Sequence, residues 1–499
     1  MTDYKTPKVY VEEISTLPSS IVGVSTGIPA FIGYTEKAEN DSGEDLTNIP
    51  TRITSIIEYE SFFGKAQPTF IEVFCSGTPP DEQIESIKIN KPRFFTYYAL
   101  QMFFSNGGGP CYIVSIGSYI DDNEGNKKFH NITEYGLENE FTSGLKALEG
   151  EDEPSLIVMN DLIPPTSDGS SFTVDSAYKV YNIALTHCSE LKNRFVIFDV
   201  LEAPDAEEPD PSIKAFRNDV SGDLNYSAAY YPYLQTSLSY YYLDNSVFVT
   251  VIDPGLDPSS QSQGDDEALL AKFLAFEENP DTAPVGTLES YKTQPLYSKI
   301  VKEISKQQII LPPSSSVAGV YARVDKERGV WKAPANVSLS SVKFPVTKIT
   351  DLEQETLNVD TEGKSINAIR FFTGKGVLVW GARTLEGNSN EWRYISVRRF
   401  FIYVEESVKK ATAFAVFEPN SATTWLKVKS MIENFLEGLW RQGALMGSST
   451  KDAFFVHVGI GITMTQQDIL EGRMIVEIGL AVVRPAEFVI LRFSHKLEQ

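Results

Sequence analysis

Alternating apolar and polar residues predict a series of strands and helices, most clearly between Ile366 and Met446. Apolar runs at Gly376 to Trp380 and at Ala413 to Phe417 are typical of strands. The residues from Ile395 to Ala411 and from Ser421 to Trp440 are typical of helices. Glycine, asparagine and proline separate these pieces, as they do in connecting turns. The stretch therefore predicts an α/β unit.

The predicted helix from Ser421 to Trp440 has one apolar face. Apolar residues recur along it in steps of three and four, which places them on the same side of a helix. They are Trp425, Val428, Ile432, Phe435, Leu436 and Leu439. Lys427, Lys429, Glu433 and Glu437 fall mostly away from this side. We therefore expect one face of the helix to be buried and the charged side chains to be solvated.

Several sequence stretches of this region resemble the C-terminal part of contractile tail sheath proteins. They are GVLVWGARTL, WRYISVRRFFIYVEESVKKA, and FEPNSATTW followed by LWRQGALMG, and LPPSSSVAGVYARVDKERGVWKAPAN from Leu311 to Asn336 is similar as well. That family comprises phage tail sheaths and the sheaths of phage-derived contractile injection systems. The resemblance implies a structural subunit, many copies of which form a helical cylinder around an inner tube and contract to drive the tube through a target envelope. The residue pattern alone indicates only an α/β segment.

Two strand-like segments lie near the ends of the chain. The first, from Tyr4 to Ile14, contains PKVYVEEI, which is similar to the N-terminal arm of tail sheaths. The resemblance implies that this arm joins the sheet of a neighbouring subunit; an edge strand of its own domain is the alternative. The second, FVILRF from Phe488 to Phe493, suits a strand buried between partners because it is apolar on both faces. The residues expected to make these subunit contacts are Val9, Tyr10, Val11, Glu12, Glu13, Phe488, Val489, Ile490 and Leu491.

Further elements are predicted in the first part of the chain. A strand is expected at Ala30 to Tyr34, a strand and a helix ended by Gly64 within Arg52 to Gly64, and a helix, a glycine turn and a strand within Tyr97 to Gly117. The apolar runs in SLIVMNDL, RFVIFDV and VFVTVIDPG are typical of central strands in an α/β sheet. The dense tyrosines from Tyr226 to Tyr242 are interpreted as core or subunit contacts.

The length of 499 residues exceeds the usual size of a single core, so more than one domain is expected. We predict a mixed α/β fold in two parts. A C-terminal domain from residue 361 to residue 499 includes the N-terminal arm, residues 1 to 23, and a larger α/β domain, residues 24 to 360, is inserted between them. Acidic, turn-rich inserts in the larger domain are expected to be surface loops.

The net charge of −23 is unevenly distributed along the chain. Residues 361 to 499 contain 17 Lys and Arg against 14 Asp and Glu, which leaves 27 against 53 for residues 1 to 360. An acidic chain repels phosphate backbones, so nucleic acid is not an expected partner. Because the C-terminal part is the basic one, we expect it to face the tube and to present Lys427, Lys429 or Arg441.

Motifs of catalytic or metal sites are incomplete in this sequence. Gly23, Ser25 and Gly27 match Gly-x-Ser-x-Gly, but a predicted strand follows the serine where a nucleophile elbow needs a helix. NVDTEGKS lacks the first glycine of a P-loop, because that position is Asn358. No catalytic, cofactor or metal residue is therefore expected. The alternative is an α/β enzyme or ligand-binding protein in which the strand-end carboxylates Asp161 and Asp199 bind Mg²⁺, although capping of strand ends is favoured.

Composition and termini suggest a site of synthesis. The N-terminus lacks the pattern of a secretory signal, apolar runs are too short for a membrane span, and the three cysteines have no paired spacing. We expect synthesis in the bacterial cytoplasm without direct insertion into a membrane. The resemblance implies a homo-oligomer in a virion, a released particle or a cell-bound injection apparatus. It also implies an inner tube protein, baseplate proteins and terminal cap proteins as partners.

Overall fold

The computed structural model describes residues 21–78, 81–123, 126–130, 132, 134–163, 173–201, 209–252, 266–278, 286–488 and 490. The N-terminal contact residues expected at Val9, Tyr10, Val11, Glu12 and Glu13 lie outside the described residues. So do Val489 and Leu491 of the expected C-terminal strand. Their roles remain predictions.

Strands and helices alternate along the described chain. The strands are β1 (Pro29–Thr35), β2 (Thr51–Ile53), β3 (Phe70–Ser76), β4 (Gln83–Asn90), β5 (Cys111–Ser118), β6 (Ile120–Asn123), β7 (Asn126–Phe129), β8 (Leu156–Met159), β9 (Phe195–Asp199), β10 (Ser227–Tyr231), β11 (Leu234–Ser239), β12 (Val247–Ile252), β13 (Gln308–Leu311), β14 (Val337–Ser338), β15 (Val342–Pro345), β16 (Ile366–Phe372), β17 (Gly376–Val379), β18 (Phe454–Val458) and β19 (Val476–Leu480). The helices are α1 (Ile56–Phe63), α2 (Thr96–Ser105), α3 (Glu134–Ala147), α4 (Val174–Leu191), α5 (Pro209–Asp219), α6 (Asp266–Glu278), α7 (Pro295–Ile304), α8 (Ser314–Arg328), α9 (Asp351–Asn358), α10 (Ile395–Thr412), α11 (Ala422–Arg441), α12 (Thr450–Ala453) and α13 (Gln466–Leu470). The expected mixed α/β fold class is confirmed.

The chain divides into two compact units, and the division falls within α10. The larger unit contains the described residues of Ser25–Ile402 and the described residues from Arg484 onward. The smaller unit contains Tyr403–Val483 and the described residues from Ile21 to Val24. This division differs from the expected domain border at residue 361.

Strand pairing explains why the border lies later than expected. Residues 361 to 402 contribute β16 and β17 to the larger unit, because β16 pairs in parallel with β10 and antiparallel with β17. Ile366, Ala368 and Ile369 of β16 are buried in that sheet. The described residues from Arg484 onward also belong to the larger unit, whereas the C-terminal domain was expected to contain them.

The larger unit is built on a nine-stranded sheet in the order β14-β17-β16-β10-β9-β8-β1-β5-β2. Strands β16, β10, β9, β8, β1 and β5 run parallel to one another. Every residue of β1, β8, β9 and β10 is buried, as expected for strands covered on both faces. The predicted strands in the first part of the chain are thereby confirmed, as is the burial of Tyr230 and Tyr231 from the tyrosine cluster.

Three smaller sheets of the described residues also belong to the larger unit, one of which is the antiparallel pair β6–β7. Strand β12, which contains the predicted VFVTVI run, pairs in parallel with β3, and β3 pairs antiparallel with β4. Strand β11 lies between β13 and β15 in an antiparallel sheet. The predicted helix ended by Gly64 is α1, and the helix and strand on either side of the glycine turn are α2 and β5.

The smaller unit contains α11 and the antiparallel pair β18–β19, and α11 contacts β18. The buried residues of α11 are Val428, Met431, Ile432, Leu436 and Leu439, which confirms most of the predicted apolar face. Trp425 and Phe435 are only partly buried. No helix in the described part of the chain is long and apolar enough to cross a membrane.

The prediction of a strand at Ala413 to Phe417 is wrong. Ala413–Ala415 forms a turn of 3-10 helix. The amide of Val416 donates to the carbonyl of Ala413, and the amide of Glu418 donates to the carbonyl of Ala415. The amides of Val416 and Glu418 thus have partners within the turn. The apolar residues alone had predicted that this backbone would pair in a sheet.

Candidate functional site

The two strand-end aspartates cap helices of the larger unit. Asp161 is fully buried and accepts hydrogen bonds from the amides of Tyr34 at 2.8 Å, Phe95 at 2.5 Å and Thr96 at 3.2 Å, and from the Thr96 hydroxyl at 2.7 Å. Phe95 and Thr96 form the N-terminus of α2, whose free amides attract a carboxylate. Burial raises the pKa of Asp161, and these four donors act in the opposite direction.

Asp199 makes the equivalent contact at α8. Its Oδ1 accepts from the amide of Ser314, the first residue of that helix, at 2.8 Å. Burial raises the pKa of Asp199 to about 7. Both carboxylates therefore lie at helix N-termini, whereas the sequence interpretation had them capping strand ends. Among the described residues no group of three His, Cys, Asp or Glu could hold a metal ion.

The formal Gly-x-Ser-x-Gly match has no elbow geometry. Ser25 is exposed and lies before β1, and the residues preceding it, from Ile21 to Val24, are not in a strand. A nucleophile elbow instead places its serine between a strand and a helix. The sequence had indicated the same arrangement, in which a strand and not a helix follows the serine.

Sequence reasoning missed a buried ion pair between α8 and α10. Arg399 Nη2 lies 2.6 Å from Asp325 Oδ2, and Nη1 lies 3.0 Å from Oδ1, which is the bidentate arrangement that arginine favours. The guanidinium also lies 4.7 Å from the centre of the Tyr321 ring. The Tyr321 hydroxyl is 2.8 Å from that of Tyr230 on β10. This cluster joins two helices to the central sheet.

A second cluster holds the described C-terminal segment of the larger unit. Glu487 accepts two hydrogen bonds from Arg383, at 2.9 and 2.8 Å, one from Asn358 at 2.7 Å and one from Tyr394 at 3.2 Å. Burial acts to raise the pKa of Glu487, but its hydrogen bonds and the charge of Arg383 hold it below its usual value. The next described residues, Phe488 and Ile490, are 70% and 77% exposed. We call Glu487, Arg383, Asn358 and Tyr394 the C-terminal clamp.

The three cations expected to face the tube each have a partner within the smaller unit. Lys427 Nζ lies 4.4 Å from the centre of the Phe414 ring. Lys429 Nζ is 3.7 Å from Glu433, and Arg441 Nη2 is 2.5 Å from Glu437. These ion pairs are on the helix surface and are weak.

The charge balance of the smaller unit also differs from that of residues 361 to 499. Residues 403 to 483 contain 7 Lys and Arg against 9 Asp and Glu. The basic excess that motivated the tube assignment therefore comes from residues outside this range. The contact of Lys427, Lys429 or Arg441 with a tube stays a prediction.

Strands β18 and β19 form a two-stranded sheet in the described residues. Their five pairs run from Phe454 opposite Leu480 to Val458 opposite Val476. Phe455 on β18 is exposed, and most other residues of both strands are only partly buried. An isolated pair of strands is marginally stable in water, so further strands would stabilise it.

Part of the chain is similar in sequence to known tail sheath proteins. A family model described as phage tail sheath C-terminal domain matches residues 388–496. The tail sheath protein of Vibrio phage KVP40 is 24% identical over 135 residues, which is 27% of this chain and 20% of that protein. The matched region thus spans about a fifth of the length of this curated relative.

Solved structures match over nearly the whole chain. The helical sheath of the anti-feeding prophage in its contracted state is 28% identical, with a TM-score of 0.61, over 99% of this chain and 100% of that chain. The sheath complex of PVC, an extracellular contractile injection system, also in the contracted state, is 29% identical, with a TM-score of 0.60, over 99% of each chain. Residues 388–496 thus match the phage tail sheath C-terminal domain, and over nearly its whole length the chain is similar in sequence and fold to sheath subunits of contractile injection systems.

Proposed function

We propose that this protein is a structural subunit of a contractile sheath. Many copies polymerise as a helical cylinder around an inner tube, and contraction of the cylinder drives the tube through a target envelope. The observation that carries the proposal is the similarity to contracted sheaths over 99% of the chain. A likeness confined to residues 388–496 would support only a shared C-terminal domain.

The energy for contraction would come from the assembled lattice. Asp161 and Asp199, the best carboxylate candidates for a magnesium site, are committed to the N-termini of α2 and α8. A contracted lattice that buries more apolar surface gains about 25 cal/mol per Å² in each subunit. Summed over many subunits, a small gain in free energy for each subunit is sufficient to drive contraction. Purified extended sheaths should therefore contract without ATP.

Strand addition between subunits is the proposed link in the lattice. The pair β18–β19 is a suitable acceptor because its outer backbone groups can pair with further strands. The segments Tyr4 to Ile14 and Phe488 to Phe493 of neighbouring copies are the proposed donors. Phe488 and Ile490 support this, because both apolar side chains are largely exposed in the single chain.

The two proposed arms begin at fixed points of different units. Between the N-terminal segment and β1, the amide of Val24 donates to Ser407 Oγ at 3.1 Å within the smaller unit. Just before the C-terminal segment, Glu487 is held by the C-terminal clamp within the larger unit. Backbone pairing of the arms can persist while subunits move as rigid bodies, which contraction requires.

Other partners follow from the proposed assembly. Structures similar to this chain include the anti-feeding prophage baseplate in its contracted state, at 25% identity and a TM-score of 0.65, which supports association with baseplate proteins. Contacts with an inner tube protein and a terminal cap protein are proposed on the same basis. Synthesis in the bacterial cytoplasm, followed by incorporation into a virion or an injection particle, completes the proposal.

Deletion of residues 2 to 14 tests the strand-addition step. The variant should remain a folded monomer with nearly unchanged thermal stability, because the deleted segment pairs with another copy. It should no longer build contractile cylinders. Electron microscopy and thermal unfolding measure the two properties separately. Loss of folding would instead make the segment an internal strand, and cylinders that still form and contract would show that it is no link at all.

A further inference from the structure

His130 links the β6–β7 hairpin to helix α3 through two carboxylates. It directly follows β7, and its Nδ1 lies 2.9 Å from Asp121 Oδ1 on β6. Its Nε2 lies 3.4 Å from Glu140 Oε2 on α3. The hydroxyl of Tyr34 on β1 donates to the same Glu140 oxygen. The exposed Lys128 of β7 lies opposite Asp121 in the hairpin. The imidazole is therefore the middle link of a polar chain that runs from the hairpin to the central sheet.

Both contacts of the imidazole ring need its protonated form. Protonated histidine donates from both ring nitrogens, whereas neutral histidine donates from one and presents a lone pair at the other. A neutral ring would face either Asp121 or Glu140 with that lone pair. The positive charge between the two carboxylates would also be gone. Loss of one proton therefore weakens the link between the hairpin and α3.

His130 is the group of this site whose charge changes near neutral pH. Its hydrogen bond to Glu140 is the largest cause of a pKa of about 8, above the usual 6.5. Burial acts to raise the pKa of Glu140, but hydrogen bonds from His130 and Tyr34 hold it below its usual value. Burial raises the pKa of Tyr34 well above its usual value. Glu140 is therefore ionised and Tyr34 neutral throughout the range in which His130 titrates.

The residue before His130 joins the hairpin to a second part of the larger unit. Phe129 is buried, and the centre of its ring lies 5.8 Å from that of Phe70 on β3. The guanidinium of Arg93 lies 5.8 Å from the centre of the Phe129 ring. Phe129 and Phe70 belong to an apolar cluster with Phe248 of β12 and with Leu269, Leu270 and Phe273 of α6. A hairpin that moves away from α3 would take Phe129 out of this cluster.

We propose that His130 is a pH-operated latch within the larger unit. While the ring is protonated, the hairpin is held to α3 and α6 packs on β3 and β12. When the ring loses its proton, the hairpin detaches from α3 and the packing of α6 loosens with it. The two events are coupled because His130 and Phe129 are adjacent in the chain. The latch is a property of the single chain, so its test needs neither a tube nor an assembled cylinder.

Hydrogen exchange of the purified chain, measured by mass spectrometry at pH values from about 6 to about 9, tests the latch. Peptides that cover β6–β7 and α6 are compared with peptides that cover β8 and β9 of the central sheet. Protection factors correct for the faster intrinsic exchange at higher pH. His130→Gln removes the titrating group. His457→Gln is the matched control, because His457 lies 3.9 Å from Glu477 in an exposed pair of the smaller unit.

In wild type, the protection factors of β6–β7 and of α6 should fall together as the pH rises. The fall should reach up to about 30-fold, because each pKa unit is a tenfold change and the interval runs from 6.5 to about 8. The protection factors of β8 and β9 should stay constant. In His130→Gln, those of β6–β7 and α6 should be low at every pH, whereas His457→Gln should match the wild type.

Constant protection of α6 beside a fall in β6–β7 would overturn the coupling. Constant protection of both elements in wild type would overturn the latch itself. An equal fall in β8 and β9 would do the same, because it would indicate general unfolding at alkaline pH. A wild-type pH profile in His130→Gln, or a lost profile in His457→Gln, would show that another group carries the effect.

Discussion

Breaking the Asp325–Arg399 ion pair should strongly destabilise the larger unit. The two side chains are only 3% and 4% exposed, and they join α8 to α10. Asp325→Asn keeps the shape of the side chain and removes its charge, which leaves the Arg399 guanidinium buried without a counter-charge. Removing one partner of a buried pair costs about 3 to 5 kcal/mol. We expect a loss near the lower value, because the ring of Tyr321 still faces the guanidinium at 4.7 Å.

Amide hydrogen exchange of α8 and α10 measures this loss locally, which suits a chain of two units. The matched control is Glu303→Gln, which removes an exposed pair with Lys306 in the same unit and should cost less than about 1 kcal/mol. Arg399→Met combined with Asp325→Asn removes both charges and should recover part of the lost stability. If Asp325→Asn costs no more than Glu303→Gln, the argument from burial is refuted.

Two further predictions concern the larger unit. Gly33→Ala should destabilise it by about 1 to 3 kcal/mol through overpacking, because the added Cβ would lie 2.1 Å from Thr96 Oγ1 and 2.5 Å from Asp161 Oδ2. Gly150→Ala, which meets no atom within 4 Å, should be nearly neutral when both are compared by urea unfolding. The pKa of His130 is raised to about 8, above the usual 6.5. Its hydrogen bond to Glu140 is the largest cause, its hydrogen bond to Asp121 adds to the rise, and burial acts in the opposite direction. Its stabilising contribution is therefore complete below pH 6.5 and is lost as the pH rises through 8. The protection factors of the β6–β7 amides, which are corrected for the faster intrinsic exchange at higher pH, should therefore fall over that interval in wild type but not in His130→Gln.

Local patterns in the sequence predicted much of the secondary structure. The apolar runs of β1, β8 and β9 and the three- and four-residue steps of α11 each depend on neighbours within one element. The position of Asp161 and Asp199 at the ends of buried parallel strands was also predictable. The helices that they cap, α2 and α8, are remote in sequence and had to be seen in the fold.

Long-range contacts and assembly explain what the sequence did not predict. The border between the units follows Ile402 and not residue 360, because β16 pairs with β10. No local sequence pattern predicts that pairing. The Asp325–Arg399 pair joins two helices and leaves no spacing signature. The run Ala413 to Phe417 was interpreted as a strand because apolar residues usually mark buried segments. Here Val416 and Phe417 are exposed in the single chain.

Electron microscopy of the purified, assembled protein tests the central claim most directly. The account predicts long hollow cylinders with regular striations, and extended cylinders that shorten and widen without added ATP. Compact, uniform particles that form no cylinder under any assembly condition would contradict it.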